Sequence, residues 1–114
     1  MSVEVTDDGA LTVRHDGTLA SLRTVTIADG LEMVSLTQAI AWDLRADAAL
    51  RKRVAAQARK TLLGTVALVE HPGKLADVVL RYNFPVGGLS DSALQTLILM
   101  TLDAGTQVRA ALTA

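Results

Sequence analysis

Leu75-Ala76-Asp77-Val78-Val79-Leu80-Arg81-Tyr82-Asn83-Phe84-Pro85-Val86-Gly87-Gly88-Leu89-Ser90 decides the fold. Val78, Leu80, Tyr82 and Phe84 recur at period two, the spacing of a strand with one face in a core. Pro85 removes a backbone donor and ends pairing. Gly87 and Gly88 supply a turn, and Ser90 or Ser92 caps a helix, Ser92 and Gln95 having the spacing of a capping box. From there to Leu112 one helical face carries Leu94, Leu97, Ile98, Thr101, Leu102, Gly105 and Val108. Leu99 and Met100 widen this stripe beyond what one sheet needs to cover. A helix of about 22 residues is roughly 33 Å long, enough to cross a whole sheet.

Upstream of this ending, Leu63 to Glu70 is strand-like, and His71-Pro72-Gly73-Lys74 turns it into the Leu75 strand. Ala46 to Lys60 has helical composition, with Asp43 or Asp47 as cap and Leu50, Val54, Ala58 and Leu62 as its apolar stripe. The front third alternates between extended segments and Asp-Gly turns. Its strands are Ala10 to Arg14, Leu19 to Ala28, and Leu31 to about Trp42. In the third, Val34, Leu36, Ile40 and Trp42 line one face, while Leu36, Ala39, Ile40 and Asp43 also match helical spacing; the strand is favoured through Ile40. The expected order is βββ-α-ββ-α. It forms an α+β two-layer sandwich, an antiparallel five-stranded sheet with two helices on one face. Residues 1–114 make a single domain, with 1–9 as a short N-terminal extension.

Composition narrows the function classes. The chain has 114 residues, half of them apolar, with Trp42, Tyr82 and Phe84 as its only aromatics. So few stacking platforms argue against base or sugar recognition. A formal net charge of −1 gives no field to steer polyanions, and the absence of cysteine removes thiolate chemistry. Met1 to Asp8 is acidic rather than basic-then-apolar, and no apolar run approaches membrane-spanning length. A cytoplasmic bacterial protein is expected, with no membrane and no nucleic-acid partner.

The residues Val79 to Ser90, between a three-strand meander and hairpin on one side and a long final helix on the other, resemble the YbjN-like family, which has the type III secretion chaperone-like fold. The resemblance spans roughly residues 10 to 112. It implies a small, often dimeric α+β domain that binds protein segments or serves a regulatory role. Such proteins commonly begin with a helix, which Asp7-Asp8-Gly9 cannot supply.

No motif carries a reaction. His15 beside Asp16-Gly17 and His71 beside Pro72-Gly73 are turn histidines. Glu70 and His71, adjacent in a strand, point to opposite sides and share no metal. Asp43, Asp47, Asp77, Asp91 and Asp103 form no paired carboxylates at recognisable spacing; two fall at helix starts. Asp77 and Arg81 share a strand face as surface groups. Gly87-Gly88 lacks the Lys-Ser/Thr ending of a phosphate loop. Arg51, Lys52, Arg53, Arg59 and Lys60 spread around a helix, with Asp47 as the i, i+4 partner of Arg51. Catalytic, cofactor and metal residues are therefore not expected, and no cofactor is assigned.

The second sheet face is the informative surface. Leu22, Thr24, Thr26, Met33, Ser35, Thr37, Thr65, Ala67, Val69, Val79 and Arg81 are expected there: small, semi-apolar and nearly flat. The expected function is a non-enzymatic protein-binding, chaperone-like or regulatory module acting as a homodimer. Its contact residues would be Thr24, Thr26, Met33, Ser35, Val69, Val79 and Arg81, with Leu99 and Met100 on the helix. The alternative is a small-molecule site or enzyme pocket between sheet and helices, with Trp42, Tyr82 or Arg81 at its mouth.

Overall fold

A computed structural model describes residues 2–113. Its strands are β1 (Ser2–Val5), β2 (Leu11–His15), β3 (Thr18–Ala28), β4 (Leu31–Arg45), β5 (Thr65–His71) and β6 (Leu75–Pro85). Helix α1 (Ala48–Lys60) lies between β4 and β5, and α2 (Asp91–Thr113) follows β6. The sheet order is β1-β2-β3-β4-β6-β5, and every neighbouring pair is antiparallel.

The α+β class stands, but the sheet has six strands rather than five. The segment expected to be an N-terminal extension supplies the additional one. Val3 pairs with Val13 and Val5 with Leu11. The connecting turn closes by the Thr6 N–H donating to the Ala10 carbonyl at 2.8 Å, with the Thr6 hydroxyl donating to Asp8. The observed order is ββββ-α-ββ-α.

Local chemistry explains the helix ends. Asp47, rather than Asp43, caps α1 by accepting from the Leu50 N–H at 2.8 Å. Ser90, rather than Ser92, caps α2 through the Ala93 N–H at 3.1 Å. Leu50 and Val54 of α1 are buried, but Leu62 lies beyond the helix end and is 89% exposed. The expected stripe is thus one turn too long.

Both helices share one core with the same side of the sheet. Leu102, Val108 and Leu112 of α2 and Leu50 and Val54 of α1 pack with Leu22, Leu36, Ile40, Val66, Val78, Leu80 and Phe84. Truncating any of the fully buried Leu36, Leu80 or Leu102 to alanine costs about 2–5 kcal/mol. Leu22, placed by sequence on the open face, belongs to this core, because its register partner is Leu36.

Three polar side chains are buried with this core, Thr18, Gln38 and Thr101. Gln38 of β4 is fully buried. Its Nε2 donates to Thr18 Oγ1 at 2.9 Å and to the Leu102 carbonyl at 3.1 Å. Thr18 in turn donates to the His15 carbonyl at 2.6 Å. Gln38 Oε1 accepts no hydrogen bond and lies against Gly105 of α2. The opposite amide orientation would point one carbonyl at another, so the network fixes the rotamer.

A Cβ added at Gly105 would stand 1.8 Å from Gln38 Oε1. Gly105→Ala is therefore expected to destabilise the fold by about 3 kcal/mol in urea unfolding. In a Gln38→Ala background the same change becomes neutral or stabilising, since alanine gains about 1 kcal/mol of helix propensity over glycine. Equal costs in both backgrounds would contradict the contact.

Candidate functional site

Register assigns every strand residue to a face. The face away from the helices is built in rows that cross the strands. Leu19, Ala39, Val79 and Ala67 form one row, and Ser21, Thr37, Arg81 and Thr65 the next. Arg23, Ser35 and Asn83 follow, then Val25, Met33 and Pro85. Two polar rows are thus bracketed by two apolar ones. Exposure fits this ordering: Leu19, Val25 and Val69 are exposed, and Met33, Ala39, Ala67 and Val79 half-buried. Among the described residues no helix covers this side.

The expected contact residues divide between surfaces. Met33, Ser35, Val69, Val79 and Arg81 do share the open face. Thr24 and Thr26 do not: Thr24 pairs with Val34 and Thr26 with Glu32, which puts both on the helix side, though exposed. Apart from Arg23, β3 carries apolar or neutral residues on both faces, so its own alternation is weak, and the register to β4 sets its parity. Leu99 and Met100, 40% and 54% exposed, stand on opposite flanks of the outward surface of α2. They are remote from the open face.

The residues expected at a pocket mouth also scatter. Tyr82 packs in the core beside Phe84, ring centroids 5.0 Å apart. Arg81 is on the open face. Trp42 is 49% exposed at the sheet end, where the Arg109 guanidinium stacks over it at 5.5 Å. Trp42 leaves the core-facing series because β4 shifts register between Ala39 and Ala41 and again before Leu44.

The basic helix is tied into the fold. Arg51 meets Glu70 of β5 at 2.6 Å rather than Asp47, which raises the guanidinium pKa and lowers that of the carboxyl. Arg53 donates to the Ala111 and Leu112 carbonyls at 3.2 and 2.7 Å, closing the C-terminus of α2.

His15 is not the exposed turn residue expected. Its side chain is 15% exposed, and Nε2 lies 2.9 Å from Asp103 of α2. His71 likewise has partners that sequence spacing did not show. Its Nε2 is 3.1 Å from Asp77 Oδ1, and Asp77 also accepts the Asp43 N–H at 3.0 Å. That N–H, and then the imidazole, hold the Asp77 carboxyl below its ordinary range. Asp43 reaches them because it occupies the left-handed region, φ +56, within the irregular stretch of β4. Among the described residues these three are the group of side chains placed to share a metal ion.

With the geometry in hand, comparison with solved structures is direct. YbjN of E. coli, described as a candidate transcription regulator, superposes with a TM-score of 0.65 at 16% identity, covering 100% of this chain and 81% of that one. The chain has the type III secretion chaperone-like fold. The second match on which this rests is SycH of Yersinia pestis, a type III secretion chaperone solved in complex with a stable fragment of YscM2. It gives a TM-score of 0.54 at 12% identity over 95% of this chain and 86% of that chain. No family model and no curated protein matches the sequence. No helix among the described residues is long and apolar enough to cross a membrane.

Arg23 at the edge of the open face is paired with Asp8 at 2.5 Å. The Thr6 hydroxyl, the Ala10 N–H and Arg23, in that order, lower the Asp8 pKa from 3.8 to about 2. A depressed carboxylate stabilises the folded state above its unfolded value near 3.8 and loses that contribution as pH falls through about 2. A carboxyl-carbon NMR titration should give an Asp8 midpoint near 2. Thr6→Val should raise it more than Arg23→Ala does.

Proposed function

We propose that this chain is a non-enzymatic protein-binding module that works as a homodimer and engages its partner through the open face of the sheet. One observation carries the reading: a sheet of six strands, with both helices on the other side, leaves two apolar rows around a polar belt without cover. Half-buried Met33 and Val79 and exposed Leu19, Val25 and Val69 give such a face apolar area to bury. Arg81 stands exposed in its middle and makes no ion pair among the described residues. It offers a planar donor to a carboxylate of the incoming surface. The likeness in fold to a secretion chaperone bound to a protein fragment supports a docking role. The reading adds cytoplasmic action and neither cofactor nor nucleic acid.

A groove of about 460 Å³ between α1 and α2 favours a second reading, a small-ligand site. Leu62, Leu63, Met100, Lys60 and Asp103 are among its lining residues. A metabolite that fills it would raise the unfolding midpoint, because a ligand specific for the folded state stabilises it.

Light scattering at tens of micromolar is expected to give the mass of two chains. Met33→Asp, which inserts a charge into an apolar row, should return the monomer with an unchanged circular dichroism spectrum. Arg81→Glu should weaken partner capture by about tenfold or more, the scale of a charge-assisted pair. A monomer throughout, with partner capture indifferent to both changes, would overturn the reading.

A further inference from the structure

We propose that Asp43, His71 and Asp77 form a binding site for a divalent transition-metal ion of the zinc class, at the corner of the sheet where β4, β5 and β6 meet. This rests on the side chains themselves and stands apart from the docking role.

Geometry is the first ground. One donor atom from each residue lies within 4.8 Å of the other two. Ion-to-ligand bonds of about 2.0–2.2 Å place the donors of one ion roughly 3.0–3.5 Å apart. His71 Nε2 and Asp77 Oδ1, at 3.1 Å, already have that separation. A small rotation of the exposed Asp43 side chain would bring in the third donor. The donors come from three strands. His71 and Asp77 are diagonal neighbours across the β5–β6 hairpin, where Val69 pairs with Asp77 and His71 with Leu75. Asp43 is delivered by the left-handed residue in β4.

Electrostatics is the second. Two other carboxylates in short ion pairs have arginines, Asp8 with Arg23 and Glu70 with Arg51, while Asp103 has His15. Asp43 and Asp77 are gathered together, and neither forms an ion pair with a lysine or arginine among the described residues; Asp77 meets the His71 imidazole instead. A divalent ion would neutralise what the fold has brought together. The Asp43 N–H bonded to Asp77 Oδ1 also orients that carboxylate, as groups behind a metal ligand commonly do.

A contrast within the molecule sharpens the point. His15 also has two carboxylates nearby, Asp103 at 2.9 Å and Asp16 at 3.9 Å. Those three do not converge as one donor set. One imidazole with two carboxylates suits zinc, cobalt, nickel or manganese, and it is poorer for magnesium or calcium, which take oxygen ligands. Three protein ligands leave further positions for water, since His71 and Asp77 are only half-buried.

Zinc chloride titrated calorimetrically into the metal-free full chain should bind at one site per chain in the micromolar range, and magnesium chloride should not compete. Zinc should shift the ring signals of His71 in NMR and leave those of His15 in place. His71→Ala should abolish micromolar binding, Asp43→Asn should weaken it by about tenfold or more, and His15→Ala should change nothing. Should His71→Ala fail to fold, the Asp43→Asn affinity and the two imidazole signals decide the matter. Binding only in the millimolar range, movement of the His15 signals instead, or affinity indifferent to Asp43→Asn would overturn the proposal.

Discussion

The buried amide of Gln38 holds the two layers in register. Apolar packing alone presses α2 onto the sheet but leaves its position along the strands weakly determined, because one leucine contact resembles the next. A buried polar group changes this. Sliding α2 would strip Gln38 Nε2 of the Leu102 carbonyl, at a cost of about 1–3 kcal/mol for the unmet group. The same slide would drive helix backbone or a side chain onto Oε1, which only Gly105 leaves room for. Two contacts at the ends of this region act in the same sense. His15 meets Asp103 at 2.9 Å, and Arg109 donates to the Ile40 carbonyl at 2.7 Å. All three join α2 to the β2–β3 turn and to β4.

That turn is tight for a reason visible in its backbone. Asp16 and Gly17 both have positive φ, +46 and +81, the requirement of a two-residue hairpin that follows the twist of the strands. Thr18 emerges at once as the first residue of β3 and is therefore able to accept from Gln38 while donating to His15. A looser connection would put Thr18 elsewhere and leave the amide unmet. Turn chemistry in the β2–β3 hairpin thus sets the seat of a helix nearly ninety residues later.

Much of this was legible in the chain. The alternation from Val78 to Phe84 is strong because polar residues separate most of its members, and the stripe from Leu94 to Val108 has a single period, so both elements follow from local pattern. β3 is different. Its faces carry Ala20, Leu22, Thr24 and Thr26 against Leu19, Ser21, Arg23 and Val25, two sets of similar polarity, and only pairing with β4 decides between them. That is why Leu22, Thr24 and Thr26 were expected on the wrong side. Gln38 was missed although it lies at period two between Leu36 and Ile40; parity already placed it inward, and its polarity masked the signal. β1 was missed because Ser2 to Val5 is short and exposed along its whole length. Nothing in its pattern marks a buried face, and only the Thr6 to Gly9 turn hints at a hairpin.

The corner of Asp43, His71 and Asp77 could not be read from sequence, and the physical reason is specific. Separations of 28 and 6 residues match no ligand motif. β4 twice shifts register against β6 between Ala39 and Leu44; within that stretch Trp42 leaves the core series and the Asp43 N–H donates to Asp77. Each shift moves the pairing by one residue, so parity changes between the two and is restored at Leu44, which pairs with Ala76. A straight β4 would have kept the indole in the core-facing series as sequence alternation implies, and it would have set Asp43 opposite Leu75, the partner of His71. The irregular backbone is maintained at both ends, by Arg109 on the Ile40 carbonyl and by Lys74 on the Ala46 N–H through its carbonyl at 2.8 Å. Its conformation is therefore imposed by the surrounding fold before any ligand arrives.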